Sequence, residues 1–264
     1  MKHLKSSLAN LRELYESSIT AKDIAEPFIS FDIDSPSANI KRFMDSKDFD
    51  IIGIRKEGLI SGYVERRELS DNTLKKHIRP FTEEELLSEK ASMLEIFRKL
   101  SSSSKSAVFV LAFGQVAGII TRGDLQKIPI RMWSFGLISM IEMQLLRIVR
   151  AYYPTEEWKT LLTCGRLKKA NDVLKERQNE NIAIDLADCL QFSDKFKILL
   201  GKKEFWQNLS FSSKTSATRF FNDVKKLRDR LSHAQDIITE KWPAIVDLIM
   251  KAEQVLDDLE QQAT

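Results

Sequence analysis

Two stretches of this chain spell the same pattern. Asp50-Ile51-Ile52-Gly53-Ile54 is a β-branched run, followed by the hairpin signal Glu57-Gly58 and the returning run Leu59-Ile60-Ser61-Gly62-Tyr63-Val64. Ala107-Val108-Phe109-Val110-Leu111 leads in the same way through Phe113-Gly114-Gln115 into Val116-Ala117-Gly118-Ile119-Ile120. Short apolar runs bounded by turn residues read as buried strands, and two of them across a tight turn read as an antiparallel hairpin. Each hairpin runs into a helix start, Glu65-Arg66-Arg67-Glu68-Leu69 in the first copy and Thr121-Arg122-Gly123-Asp124-Leu125 in the second. Each is also preceded by a helix, one opened by Pro36-Ser37-Ala38, the other running from Ser92 to Leu100. A repeat of this kind outweighs any single motif, because it asks for two copies of one supersecondary unit.

The repeat ends near Pro129, where the character of the chain changes. Only three glycines follow, Gly136, Gly165 and Gly201, and strand signals fade. Helices are expected at 133–152, 156–178, 182–200, 216–234 and 240–260. In the first, Leu137, Ile138, Ile141, Leu145, Ile148, Val149 and Tyr152 form one apolar stripe with Glu142 on its border. At the other end, Leu4, Leu8, Leu11 and Tyr15 recur at helical spacing over 4–18. The expected fold class is therefore α+β in two domains: an N-terminal helix over 1–20, an αβ domain over 21–131, and an all-α bundle over 132–264.

Composition narrows the function classes. With 43% hydrophobic and 30% charged residues the chain can bury real cores. Its 41 basic and 38 acidic residues nearly cancel, which disfavours a protein that wraps nucleic acid but leaves a nuclease with few contacts open. Cys164 and Cys189 lack metal-ligand spacing and read as free thiols in a reducing compartment. Met1-Lys2-His3-Leu4-Lys5 has no apolar signal core, and the apolar run from Met132 to Val149 carries Glu142, Gln144 and Arg147. The expectation is a cytoplasmic protein without a membrane span, that run being a core helix.

Two constellations carry chemistry. Thr121 and Asp124 place a hydroxyl at a strand end and a carboxylate one turn later. The hydroxyl and the adjoining helix N–H groups can bond phosphate oxygens, the carboxylate can accept from ribose hydroxyls, and Arg122 can add a phosphate contact. The competing reading is structural: Thr-x-x-Asp is close to a capping box. The equivalent first-copy residues are Glu65 and Glu68. A glutamate facing a phosphate repels it, so at most one working site is expected.

The second constellation is Leu227-Arg228-Asp229-Arg230-Leu231-Ser232-His233-Ala234. Cutting RNA internally needs a base to take the 2′-hydroxyl proton, a cation to steady the phosphorane and an acid for the leaving oxygen. Histidine can serve as acid or base, arginine offers a planar fork for phosphate, and Asp229 can orient either. An ideal helix puts positions five apart about 140° around its axis, so Arg228 and His233 share one cleft only if the helix distorts or a second subunit completes it. The competing reading is a solvated helix face with His233 at its edge.

The repeat resembles a tandem pair of CBS modules over residues 21–131, with Gly118-Ile119-Ile120-Thr121-Arg122-Gly123-Asp124-Leu125 as its strand-to-helix signature. That resemblance implies a compact αβ unit with an adenine nucleotide (AMP, ADP or ATP-like) as regulatory ligand, and assigns Thr121, Arg122 and Asp124 to it. The second half resembles the HEPN superfamily of helical bundles on the Arg228-to-His233 motif and on Glu142 in the first long helix. This implies a homodimer and a metal-independent endoribonuclease that needs no cofactor for catalysis, of the kind found in toxin, antiviral or stress systems. RNA would be its substrate, with Arg228 and His233 catalytic and Asp229 and Glu142 in support. The alternative is a non-catalytic, nucleotide-binding regulatory or scaffolding protein with a silent helical domain.

Overall fold

The computed structural model describes residues 17–69, 74–102, 107–233 and 242–262. The chain divides into two compact units, Met1–Ile130 and Arg131–Thr264. The helix expected over 4–18 lies outside the described residues apart from its last two positions.

The first unit holds seven strands among the described residues. They are β1 (Glu26–Pro27), β2 (Ser30–Asp32), β3 (Ile51–Lys56), β4 (Leu59–Glu65), β5 (Leu86–Ser88), β6 (Ala107–Ala112) and β7 (Gln115–Thr121). Helix α1 (Ser37–Lys47) joins β2 to β3, and α2 (Met93–Ser102) joins β5 to β6. Both joined pairs are parallel, as a helical crossover requires. The strands form two sheets, β2-β3-β4 and β1-β7-β6-β5.

The two copies keep one offset throughout: Gly58 and Gly114 are 56 residues apart, and so are Ser30 and Leu86 at the starts of β2 and β5. The same offset relates the bulge at Ile54/Arg55 to that at Val110/Leu111. Both hairpins turn on two residues of positive φ, Glu57 (54°) with Gly58 (83°) and Phe113 (52°) with Gly114 (77°). This is the turn geometry whose twist matches that of the flanking strands. Phe113 adopts it with a bulky side chain that is 99% exposed.

Neither sheet is built from one copy alone. β1, which precedes the first copy, pairs antiparallel with β7 of the second. Arg79, which precedes the second copy, pairs with Tyr63 of the first: each N–H donates to the other's carbonyl, at 2.8 and 3.0 Å. Between the sheets lie Phe28, Tyr63, Phe109 and Val116, with Phe81 against them. The Tyr63 and Phe81 rings stand 4.8 and 4.7 Å from Phe109. Tyr63 Oη donates to the buried Glu85 at 2.8 Å. Burial and that carboxylate push the Tyr63 phenol up to about 12. A separate core of Ile40, Met44, Ile52, Ile54 and Val64 fills the space under α1.

The sequence suggests that both hairpins open regular helices. Instead each ends in a short 3-10 turn, Arg66–Glu68 and Gly123–Gln126, before an extended residue stops it. Leu69 (ψ 104°) and Lys127 (ψ 150°) are those stops.

The second unit is helical: α3 (Ile128–Tyr152), which starts three residues before the division, α4 (Cys164–Asn179), α5 (Phe192–Leu199), α6 (Lys203–Asn208), α7 (Lys214–Ser232) and α8 (Trp242–Gln262). The stripe Leu137, Ile141, Leu145, Ile148 is buried as its spacing demands. Phe196 and Phe221 stack at 5.4 Å between α5 and α7. By length and composition α3 is apolar enough to cross a membrane, and 56% of its most apolar window is buried inside the protein.

Two expected helices are broken. The segment 156–178 holds a 3-10 turn at Glu157–Leu161, an extended Leu162 and then α4. The segment 182–200 contains two capping signals, Asp185 with Asp188 and Gln191 with Asp194, so it starts twice, as a 3-10 turn and as α5.

Gly62 faces the Arg79 backbone: a Cβ there would meet Arg79 O at 2.6 Å and Ile78 Cγ2 at 2.9 Å. We expect Gly62→Ala to lower stability by about 1–3 kcal/mol, the usual effect of overfilling a packed site. Phe113→Asn should raise it by a few tenths, since asparagine tolerates positive φ. Urea denaturation of both variants checks this; a neutral Gly62→Ala would show that the crossing strand is not held against β4.

Candidate functional site

The candidate site is a cleft of about 700 Å³ in the first unit. Its apolar walls are Pro27, Phe28 and Ile29, where the chain crosses between sheets, Phe49 and Ile51 at the entry to β3, and Ile119 on β7. Polar groups come from the end of β7, Thr121, Arg122 and Asp124, and from Glu26, Asp48 and Asp50.

Asp124 is 8% exposed, and its carboxylate is engaged on both oxygens. Thr121 N–H and Oγ1–H donate to Oδ2, at 2.6 and 2.8 Å. Lys127 Nζ lies 2.9 Å from Oδ1. The same ammonium donates to Ile24 O at 2.6 Å and to Glu26. Burial works against the Lys127 charge, but Glu26 and Asp124 outweigh it and hold its pKa above the ordinary lysine value. The hydrogen bonds of the capping reading are thus present, and they leave capacity for a ligand. A carboxylate offers roughly four acceptor positions. The protein occupies three, so one remains on Oδ1.

Arg122 stands differently. Its Nε is buried with no hydrogen-bond partner among the described residues, on a half-buried side chain at the cleft wall. The rim carboxylates Asp48 and Asp50 are bridged by Arg66 at 2.8 and 2.5 Å, and the two carboxylates raise the Arg66 pKa. The cleft therefore holds carboxylates already matched with cations and one guanidinium N–H that is not.

The first-copy counterparts of Thr121 and Asp124 are filled from within. Arg79 Nε donates to Glu68 at 2.9 Å, its NH1 group to Glu65 at 2.9 Å, and its NH2 group to Glu68. Glu68 foremost raises the Arg79 pKa. The glutamates expected to repel a phosphate are both engaged by an arginine from the crossing segment, and no spacing rule in the sequence announces it.

In the second unit Glu142 and Arg228 meet. Glu142 Oε1 accepts from Lys195 Nζ at 2.7 Å, and its Oε2 lies 3.9 Å from Arg228 Nε. The Lys195 side chain is only 7% exposed. Sequence reasoning missed it, because it sits in the segment read as one long helix. Asp229 is exposed and faces Lys225 at 3.8 Å, one turn back. His233 caps α7 with its N–H on Asp229 O at 3.2 Å, and its exposed ring makes no hydrogen bond or ion pair among the described residues. No cluster of three or more His, Cys, Asp or Glu able to hold a metal occurs among the described residues.

No family model matches the chain. No curated protein matches it either. Solved structures do. One is a hemolysin-like protein of Oenococcus oeni PSU containing a CBS domain, at 15% identity and TM-score 0.36, covering 44% of this chain and 93% of that one. Another is the CBS domain pair of protein MJ0100 in complex with 5′-methylthioadenosine and S-adenosyl-L-methionine, at 18% identity and TM-score 0.36, covering 40% and 96%. A third is CBSX2 in complex with AMP, at 14% identity and TM-score 0.36, covering 40% and 92%.

The Arg79 contact is open to a direct test. Arg79→Met removes the cation that Glu65 and Glu68 share and leaves Glu65 only Arg67, at 2.6 Å. The Arg79 side chain is 39% exposed, so solvent screening limits the loss to about 1–2 kcal/mol. Adding Glu65→Gln and Glu68→Gln to that variant should restore most of it in a double-mutant cycle. Additive losses would show that the three side chains do not act together.

Proposed function

We propose that this chain is a nucleotide-responsive regulatory protein whose first unit is a CBS pair with one adenine-nucleotide site per chain. The observation that carries the reading is the buried, unpartnered Arg122 Nε at the wall of an apolar cleft. The guanidinium at that wall is the donor group an anion in the cleft would meet, a charge-assisted hydrogen bond being worth about 1.5–3 kcal/mol. The adenine ring lies between Phe28, Phe49 and Ile119. A ribose hydroxyl donates to the remaining acceptor position of Asp124. The Thr121 hydroxyl proton is committed to Asp124, which leaves Arg122 as the phosphate donor. The first copy contributes no second site, because Arg79 occupies Glu65 and Glu68.

Calorimetric titration of the full chain with AMP, ADP and ATP tests this reading. We expect one nucleotide per chain, and at least tenfold weaker binding, about 1.4 kcal/mol, in Arg122→Ala and in Asp124→Ala. Absence of heat with all three nucleotides, or two equal sites, would refute it.

A second reading is favoured by a specific observation in the helical unit. Glu142 sits between Lys195 and Arg228, next to an exposed apolar stripe on α3 formed by Met132, Phe135 and Met143, which are 63, 42 and 48% exposed. These positions fall within about 80° of one another around an ideal helix. A homodimer joined along that stripe brings two Arg228/His233 motifs toward one interface, which removes the angular difficulty of a single helix. In this reading the unit is a metal-independent endoribonuclease of HEPN type. His233 takes the 2′-hydroxyl proton, the 2′-oxygen attacks phosphorus, the bond to the 5′-oxygen breaks, and an acid returns a proton to that oxygen. The products are a 2′,3′-cyclic phosphate and a 5′-hydroxyl. Arg228 clamps the phosphate, Glu142 holds Arg228, and Asp229 supports.

Incubation of a mixed-sequence RNA with the protein in EDTA is decisive. Cleavage should occur and disappear in His233→Ala; equal activity in both ends the ribonuclease reading. Phe135→Glu with Met143→Glu should convert a dimer to a monomer in light scattering and abolish cleavage with it.

A further inference from the structure

Helix α7 has a second functional face. About 180° around an ideal helix from Arg228, Arg219 lines a groove between α7 and α8, with Lys226 and Arg230 on the same wall. The groove measures about 670 Å³. Its floor is Phe211, Phe220, Leu227, Ile245 and Leu248, and Lys251 stands on the opposite wall. The groove as a whole carries four cations against Asp223 and Asp247. Lys226 is taken up by Asp223 at 2.9 Å. Arg219 and Arg230 have no carboxylate partner for their side chains among the described residues.

An apolar groove between two helices, rimmed by unpaired arginines, is complementary to an amphipathic helix with acidic flanks. From Ser216 to Arg230 the wall spans about 21 Å, or four helical turns. A nucleic acid strand would also answer the charge, but it needs open aromatic faces for its bases. Phe220 is only 7% exposed, and the Phe211 ring already carries the Lys251 ammonium at 5.2 Å. The aliphatic floor and the covered rings favour leucine-type anchors over bases. We infer that the α7/α8 groove is a docking site for an acidic amphipathic helix of a partner protein, independent of both sites described above.

The test uses a fluorescein-labelled helical peptide of about 16 residues, with leucines at i, i+3, i+4 and i+7 and glutamates flanking them, added to the full chain in fluorescence anisotropy. A scrambled peptide of the same composition, the same peptide with lysine for glutamate, and a uridine dodecamer serve as controls. We expect saturable binding of the first peptide only, weakened at least tenfold by Arg219→Glu with Arg230→Glu. These positions are on the surface, so circular dichroism should be unchanged. The inference is overturned if the peptide does not bind, if the scrambled form binds equally, or if charge reversal leaves its affinity unchanged. It is likewise overturned if the dodecamer binds in preference and loses affinity in the same variant, which would assign the groove to nucleic acid.

Discussion

Each half of the first unit completes its sheet with backbone that precedes the other half. β1 lies on β7, and Arg79 lies on Tyr63. This exchange forces the crossing segments between the sheets, where Phe28, Phe81 and Phe109 close the core with Tyr63. It also makes the two copies interdependent, because removing either crossing strand exposes a sheet edge and the apolar layer beneath it. Glycine is needed where the crossing backbone comes closest: at Gly62 there is no room for a Cβ beside Arg79 O, 2.6 Å from its ideal position.

The same crossings set the two copies apart at the ends of β4 and β7. The polar character of each place depends on what the crossing segment carries to it. The segment before the first copy brings Glu26, which shares Lys127 with Asp124, while Arg122 keeps an unsatisfied N–H. The segment before the second brings Arg79, which takes both Glu65 and Glu68. One copy thus keeps an open donor and the other supplies its own ligand. Exact duplication would give two equal strand ends; divergence at two positions per copy and in the crossing segments is enough to separate them.

How much of this was legible follows from the range of the interactions involved. The repeat, its hairpins and the place of its turns are written in local residue order. Lys127 was within reach too, as a cation one turn beyond Asp124 on the same element. Arg79 was not: it acts 11 and 14 residues from its partners by sheet pairing, and nothing local fixes that register. In the helical unit the apolar stripe of α3 was readable from its period. The break at Leu162 falls just before the Thr163 cap, and the one between Cys189 and Phe192 falls between the capping pairs Asp185/Asp188 and Gln191/Asp194, start signals that an expectation of unbroken helices over 156–178 and 182–200 passes over. That error hid Lys195, whose partner Glu142 lies 53 residues away.

Helix α7 shows why the motif that stands out in sequence need not be the only feature of interest on its element. Leu227, Val224, Phe221 and Ala217 anchor it in the core. The polar residues left over fall on two sides. Arg228 faces Glu142 at 3.9 Å, where its charge is matched. Arg219 and Arg230 turn toward α8, where theirs is not. A matched arginine contributes to the fold whether or not it touches a substrate, so the Arg228–Glu142 contact alone does not separate a catalytic unit from a structural one. An unmatched pair beside an apolar groove has no such internal explanation. Exposed guanidinium groups are well solvated and need no partner, but Ile245 and Leu248 on the facing helix are only half-buried and gain from leaving water. The groove is therefore the part of this helix whose free energy is most improved by something outside the chain.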